Sequence, residues 1–185
     1  LLSYYEAPPP AFGTFVNKGN IFSIGSFSKI LAPGIRLGWI QSSSDKIQAL
    51  KNCGAINSGG SLNHYASHIV RHAIDMGLLQ AHLDHLRTAY RSKVEAMQSA
   101  LELHLADHFS WTRPDGGYFF WLKLNQEIDT IALKEKALNR DVGFTAGELF
   151  SSQRRLQNYI RLSFAHYNED DILDGILRLK SLFNE

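Results

Sequence analysis

The chain has 185 residues, 44% hydrophobic and 20% charged, the composition of an ordinary globular protein with enough chain for one large domain or one and a half average ones. With 19 Lys and Arg against 18 Asp and Glu the formal net charge is +1, so bulk electrostatics recruit neither nucleic acid nor an anionic membrane, and no apolar run reaches bilayer-spanning length. Cys53 is the only cysteine, which excludes an intrachain disulfide and a cysteine-based zinc site and fits a reduced, cytoplasmic setting.

The chain opens at Leu1 without a methionine, and a natural N-terminus upstream is expected. Pro8-Pro9-Pro10 lacks three amide donors, so residues 6–13 read as a surface loop. Residues 20–28 (NIFSIGSFS) have the composition of a buried strand, and Pro33-Gly34 breaks the chain before a second strand at 36–41 (RLGWIQ). Ser44 is placed to cap a helix through about Asn52, and Gly59-Gly60 makes a loop before a helix beginning near Ser61. From 78 to 105, apolar residues at Leu79, Leu83, Leu86, Tyr90, Val94, Met97 and Leu101 predict one long amphipathic helix.

Beyond residues 114–117 (PDGG) the pattern turns to strands at 118–124, 142–145 and 159–164, with a helix at 130–138 between the first two. Asn168 caps a final helix whose first turn carries Glu169, Asp170 and Asp171, matching the helix dipole, and whose buried face is Ile172, Ile176, Leu179 and Phe183. The chain therefore reads as mixed α/β with a small α+β second half. The boundary is expected between residues 80 and 90, giving domains 1–85 and 86–185.

The most informative stretch is residues 26–39 (SFSKILAPGIRLGW). Lys29 stands at the end of a buried strand with two hydroxyls, Ser26 and Ser28, just before it. Arg36 follows the Pro-Gly break. A lysine near an apolar sheet is costly unless its charge is paired or its pKa lowered, and the lowered pKa makes it nucleophilic toward carbonyls. Arg36 offers a permanent, forked charge suited to phosphate, and the serines add donors. Together they describe a pocket for a phosphorylated carbonyl compound. On residues alone, a strand-turn-strand with an exposed lysine and a solvated arginine fits the same letters.

Ser-x-Ser-Lys followed by Pro-Gly-x-Arg-x-Gly-Trp resembles the cofactor-lysine signature of fold-type I, class I/II aminotransferases, closest to the subgroup of 2-aminoadipate and kynurenine aminotransferases. Three more segments are similar to that family in order: 114–122 (PDGGYFFWL), 143–150 (GFTAGELF, with Ala146 where proline is usual) and 159–164 (YIRLSF). The resemblance implies a large, mostly parallel-sheet domain, of which this chain carries the end, and a small C-terminal α+β domain. It implies pyridoxal 5'-phosphate bound as a Schiff base on Lys29, with Ser26, Ser28 and Arg36 at the cofactor phosphate and Arg161 at the substrate α-carboxylate. It further implies transfer of an amino group between an amino acid and a 2-oxo acid by a homodimer. The aspartate at the pyridine nitrogen and the cofactor-facing tyrosine are expected upstream, so Tyr4 and Tyr5 are not assigned, and the chain alone is expected to be incomplete as an enzyme. Two alternatives share the pattern: a fold-type I lyase, and the aminotransferase-like sensing domain of a helix-turn-helix regulator.

His64, His68 and His72 recur every four residues and read as a surface or interface stripe rather than a metal site, as do His82 and His85. No metal is expected. Cys53 reads as a small buried or half-buried hydrophobe. Phe119, Phe120 and Trp121 read as core, with one ring available to wall a substrate pocket. Residues 58–60 (SGG) occupy a place where the family approaches the partner subunit's cofactor phosphate, although a loop before a helix explains them as well.

Overall fold

The computed structural model describes residues 2–57 and 63–183. The expectations for Ser58, Gly59, Gly60 and Ser61 lie outside the described residues. The chain divides into two compact units, one of residues 1–2 and 7–86, the other of residues 3–6 and 87–185. Among the described residues, every strand pairing is antiparallel, and no helix is long and apolar enough to cross a membrane.

In the first unit the expected loop persists through the prolines and then tightens into a short 3-10 helix, Phe12–Lys18. Strands β1 (Ser23–Ser26) and β2 (Gly38–Gln41) pair antiparallel, with Ser23 opposite Gln41 and Ser26 opposite Gly38. Both strands are shorter and barer than expected. β1 alternates half-buried and exposed positions, and Ile24 and Ile40 face outward. The composition of a buried strand was correctly β, but with only one neighbouring strand here it has one covered face. Gly25 is required at its position: a Cβ there would lie 2.0 Å from the Trp39 ring, which instead packs against Phe27 with ring centroids 4.7 Å apart.

Helix α1 (Ser44–Lys51) is capped at Ser43 rather than Ser44, because Ser43 is the last residue with extended backbone. A single turn, α2 (Gly54–Asn57), follows. Cys53 falls between the two and is exposed, which corrects its reading as a buried or half-buried hydrophobe: no residue of either flanking helix is buried, so this segment offers it no core. Helix α3 (His64–Asp75) starts at the Asn63 cap and buries Ala66 and Val70. Helix α4 (Leu78–His104) runs unbroken through 27 residues. Its first part contributes Leu79 and Leu83, which with Phe27, Ile30, Trp39 and Ile74 line an apolar cavity of about 280 Å³ in this unit.

In the second unit, β3 (Phe109–Trp111), β4 (Phe119–Leu124), β5 (Thr145–Ala146) and β6 (Tyr159–Ser163) form a four-stranded sheet in the order β3-β4-β6-β5. Period-2 alternation puts Phe120, Leu122, Leu124, Ile160 and Leu162 on the buried face. The later part of α4 adds Val94, Met97 and Leu101 to that core. Helix α5 (Thr130–Leu138) begins where Asp129 accepts the Ile131 N–H at 2.8 Å, and α6 (Glu169–Lys180) where Asn168 accepts that of Asp171 at 2.8 Å. Ile172, Ile176 and Leu179 are buried as expected. Phe183 instead lies on a 3-10 turn beyond α6, stacked on His108 at 4.6 Å. Ser92 of α4 donates to Glu169 of α6 at 2.6 Å, and this bond holds the Glu169 carboxyl below the usual carboxylate range.

Candidate functional site

Ser26 ends β1, and Ser28, Lys29 and Arg36 lie on the connection to β2, whose ends the paired strands hold in register. The Phe27 N–H donates to the Leu37 carbonyl at 3.0 Å and closes the connection at its neck. Lys29 sits on the turn that follows, where the N–H groups of Ile30 and Leu31 both donate to the Phe27 carbonyl, at 3.2 and 2.8 Å. Ile30 is buried and anchors that turn, while Lys29 itself is exposed. This corrects the expectation of a lysine ending a buried strand: β1 stops at Ser26, three residues earlier. The Ser26 Oγ accepts the Ser28 N–H at 3.1 Å, so the two serines are ordered as one small turn.

Arg36 does not open the second strand, as its sequence suggested. Pro33 starts a 3-10 turn, Pro33–Ile35, and Arg36 ends it in the left-handed region at φ 52°. Proline presets the first residue of such a turn and cannot extend the ladder, so the strand begins only at Gly38. The Arg36 side chain is exposed, with one guanidinium nitrogen donating to the Pro33 carbonyl at 3.2 Å, and it makes no ion pair among the described residues. No Asp or Glu occurs from residue 7 to residue 44. One amine, two hydroxyls and one guanidinium on a single acid-free loop are the donor set that a phosphorylated aldehyde requires.

Arg161 belongs to the second unit. It lies on β6 opposite Trp121 of β4 and Thr145 of β5, on the face away from the core. Its guanidinium is sandwiched between Phe119, 3.9 Å from the ring centroid, and Phe150, at 4.6 Å. It makes no ion pair among the described residues and is half-buried. Phe119 and Trp121 therefore belong to the outer face of the sheet and only Phe120 to the core, which refines the expectation that all three are core.

The segment with Ala146 in place of proline keeps its shape. Ala146 adopts φ −65° and ψ 140°, the φ that proline would impose, before the 3-10 turn Gly147–Phe150 that carries Phe150 to Arg161. The expected strand at 142–145 shrinks to Thr145–Ala146 because only these residues reach the β6 ladder.

Tyr4 is buried and hydrogen-bonds the Gly117 carbonyl, and its phenol is pushed up chiefly by burial. Tyr5 lies against the guanidinium of Arg113, 4.0 Å from the ring centroid. Both are engaged within the second unit. His64 and His68 meet edge to face with Nε2 atoms 3.2 Å apart. No group of three or more metal-ligating side chains forms among the described residues. Sequence reasoning missed Asn63, which ties the lysine loop to α3, and Phe150 as a neighbour of Arg161. An Asn before an amphipathic run was a usable signal for the first; nothing local marked the second.

The chain matches the family model for aminotransferase class I and II over residues 5–179. It is 33% identical to aromatic-amino-acid aminotransferase 1 of Thermococcus litoralis, covering all of this chain and 44% of that protein. It is 32% identical to an uncharacterised HTH-type transcriptional regulator of Bacillus subtilis, over 97% of this chain and 37% of the regulator. The crystal structure of Pyrococcus horikoshii kynurenine aminotransferase, in complex with PMP, KYN and KYA, superposes with a TM-score of 0.88 at 33% identity, covering 98% of this chain and 45% of that one. The chain thus spans less than half the length of the relatives it matches. On this evidence the chain belongs to the class I and II aminotransferases, a pyridoxal-phosphate-dependent family of fold-type I α/β proteins, and is kynurenine/2-aminoadipate aminotransferase-like.

Proposed function

We propose that this chain is the lysine-bearing part of an aminotransferase that moves an amino group between an amino acid and a 2-oxo acid. In this reading residues 1–85 end the large cofactor-binding domain, and residues 86–185 form the small C-terminal domain. The observation that carries it is the acid-free segment that runs from Ser26 at the end of β1 through Ser28, Lys29 and Arg36 to the paired strand β2.

Bound there, pyridoxal phosphate supplies the aldehyde carbon and the electron sink that amino-group transfer needs. Lys29 Nζ is the nucleophile that holds the cofactor. The same amine would hold and move the proton at the substrate Cα. Arg36 grips the phosphate by charge-assisted hydrogen bonds, with Ser26 and Ser28 as further donors. Arg161 receives the substrate α-carboxylate. Its aromatic neighbours support this role, because they fix the guanidinium plane and leave its N–H edge without an acidic partner among the described residues. The working form is a homodimer, as the family resemblance implies.

The decisive experiment is borohydride reduction of the full-length protein loaded with pyridoxal phosphate, followed by peptide mapping. The pyridoxyl mass is expected on the peptide containing Lys29, and Lys29→Ala should lose both label and turnover. A label on another lysine overturns the assignment. The similarity to an HTH-type regulator over nearly the whole chain favours a second reading, a domain that senses rather than transforms its ligand. Amino donors assayed against 2-oxoglutarate separate the two, and product analysis separates a transferase from a lyase.

A further inference from the structure

Arg36 has a backbone that needs support. Its φ of 52° places a β-substituted residue in the left-handed region, a strained conformation that persists only where the surroundings over-determine it. Its local hydrogen bonds are modest: the N–H reaches the Pro33 carbonyl at 3.4 Å, and the Ile35 N–H reaches that of Ala32 at 3.4 Å.

The shorter restraint comes from 28 residues further along the chain. Asn63 Nδ2 donates to the Ile35 carbonyl at 2.8 Å and reaches that of Arg36 at 3.5 Å. Its Oδ1 accepts the Ala66 N–H in the first turn of α3 at 3.4 Å. One carboxamide therefore grips the carbonyls flanking the Arg36 residue with its donors and caps α3 with its acceptor.

Few side chains can do both. Aspartate caps but has no donor, serine and threonine offer a single short hydroxyl, and alanine does neither. Asn63 is itself left-handed, at φ 39°, a region that asparagine enters more readily than most residues. Two strained residues facing each other through one amide form a built junction between the lysine loop and α3.

We infer that Asn63 is a positioning residue for the cofactor phosphate: it holds the Arg36 backbone in the conformation that aims the guanidinium. The inference rests on the reading of Arg36 as the phosphate ligand. Its test therefore compares pyridoxal phosphate with pyridoxal, which lacks the phosphate, in binding titrations of the full-length protein.

Asn63→Ala should weaken pyridoxal phosphate roughly tenfold, the loss expected for one or two hydrogen bonds, while pyridoxal affinity stays within about twofold. Asn63→Asp, which keeps the cap and the left-handed preference but loses the donors, should show the same selective loss. It decides the matter if the alanine variant does not fold. Arg36→Ala runs alongside and should abolish the preference for the phosphate form.

If Arg36→Ala loses that preference while both Asn63 variants keep it, or weaken the two ligands equally, the inference is overturned and the Arg36 reading stands. If Arg36→Ala keeps the preference, the reading fails and the inference with it. Failure of both Asn63 variants to fold makes Asn63 a structural residue and overturns the assignment.

Discussion

Arg36 and Arg161 carry the same guanidinium in different company, the first exposed after a 3-10 turn, the second half-buried between two aromatic rings. Their substitutions should fail differently in the full-length protein. Arg36→Ala removes a charge-assisted fork from a dianion, so the cofactor should wash out on dialysis while substrate KM, measured with excess cofactor, changes little. Arg161→Ala should leave the spectrum of the bound cofactor intact while kcat/KM for amino donors falls by roughly 2–5 kcal/mol, the cost of breaking a desolvated charge pair. A wild-type KM for an amino donor in Arg161→Ala overturns its role. Both arginines stood out in the sequence because each sits in a run of residues with its own local signature. The Asn63 cap had a local signal, but its contact with Ile35 and those of Phe119 and Phe150 with Arg161 did not, because these partners lie 28, 42 and 11 residues away and no local pattern encodes such a meeting.

At the scale of elements, capping chemistry and period were the reliable guides. Helix α5 occupies Thr130–Leu138 as expected, and α6 starts at the Asn168 cap, since a side-chain acceptor at the cap and an apolar face are both local properties. Strand ends were less legible. A three-residue strand such as Phe109–Trp111 has too few positions to show alternation, and it exists because Phe109 and Leu124 pair across the ladder. Glycines separate the two kinds of constraint. A Cβ on Gly147 would meet the Leu156 carbonyl oxygen at 2.5 Å and that of Tyr159 at 2.9 Å, whereas one on Gly175 would meet nothing within 4 Å. Gly147→Ala should therefore destabilise by about 1–3 kcal/mol, because backbone must move to admit the methyl. Gly175→Ala, within α6, should stabilise by roughly 0.5–1 kcal/mol through helix propensity. Chemical denaturation midpoints of the two variants check the opposite signs.

For the whole molecule, exposed apolar side chains matter more than net charge. Ile24 (76% exposed) and Ile40 (47%) lie bare on the β1–β2 ribbon, and Tyr65 (80%) and Ile69 (49%) on α3. A chain that spans 44% of a relative's length and shows such faces should associate when expressed alone, by edge pairing and apolar contact. The isolated 185-residue chain should also bind pyridoxal phosphate poorly even with Lys29 intact. Retention needs an enclosing pocket and a partner for the pyridine nitrogen, and this chain spans only 44% of a relative's length. Stoichiometric, micromolar binding at Lys29, followed by absorbance, would show instead that this part holds a complete cofactor site. The sequence alone determined the family and the helices of the second half, and it singled out the lysine and both arginines that we propose for the site, because each reading depends on residues close together along the chain. Only the tertiary structure decided that Arg36 ends a turn instead of opening a strand, that Cys53 is exposed, and that Phe119 and Phe150 embrace Arg161. It also joined Asn63 to the lysine loop. Those outcomes depend on which surfaces remain to be covered once the chain has folded, and on ladder and side-chain partners that lie far away in sequence.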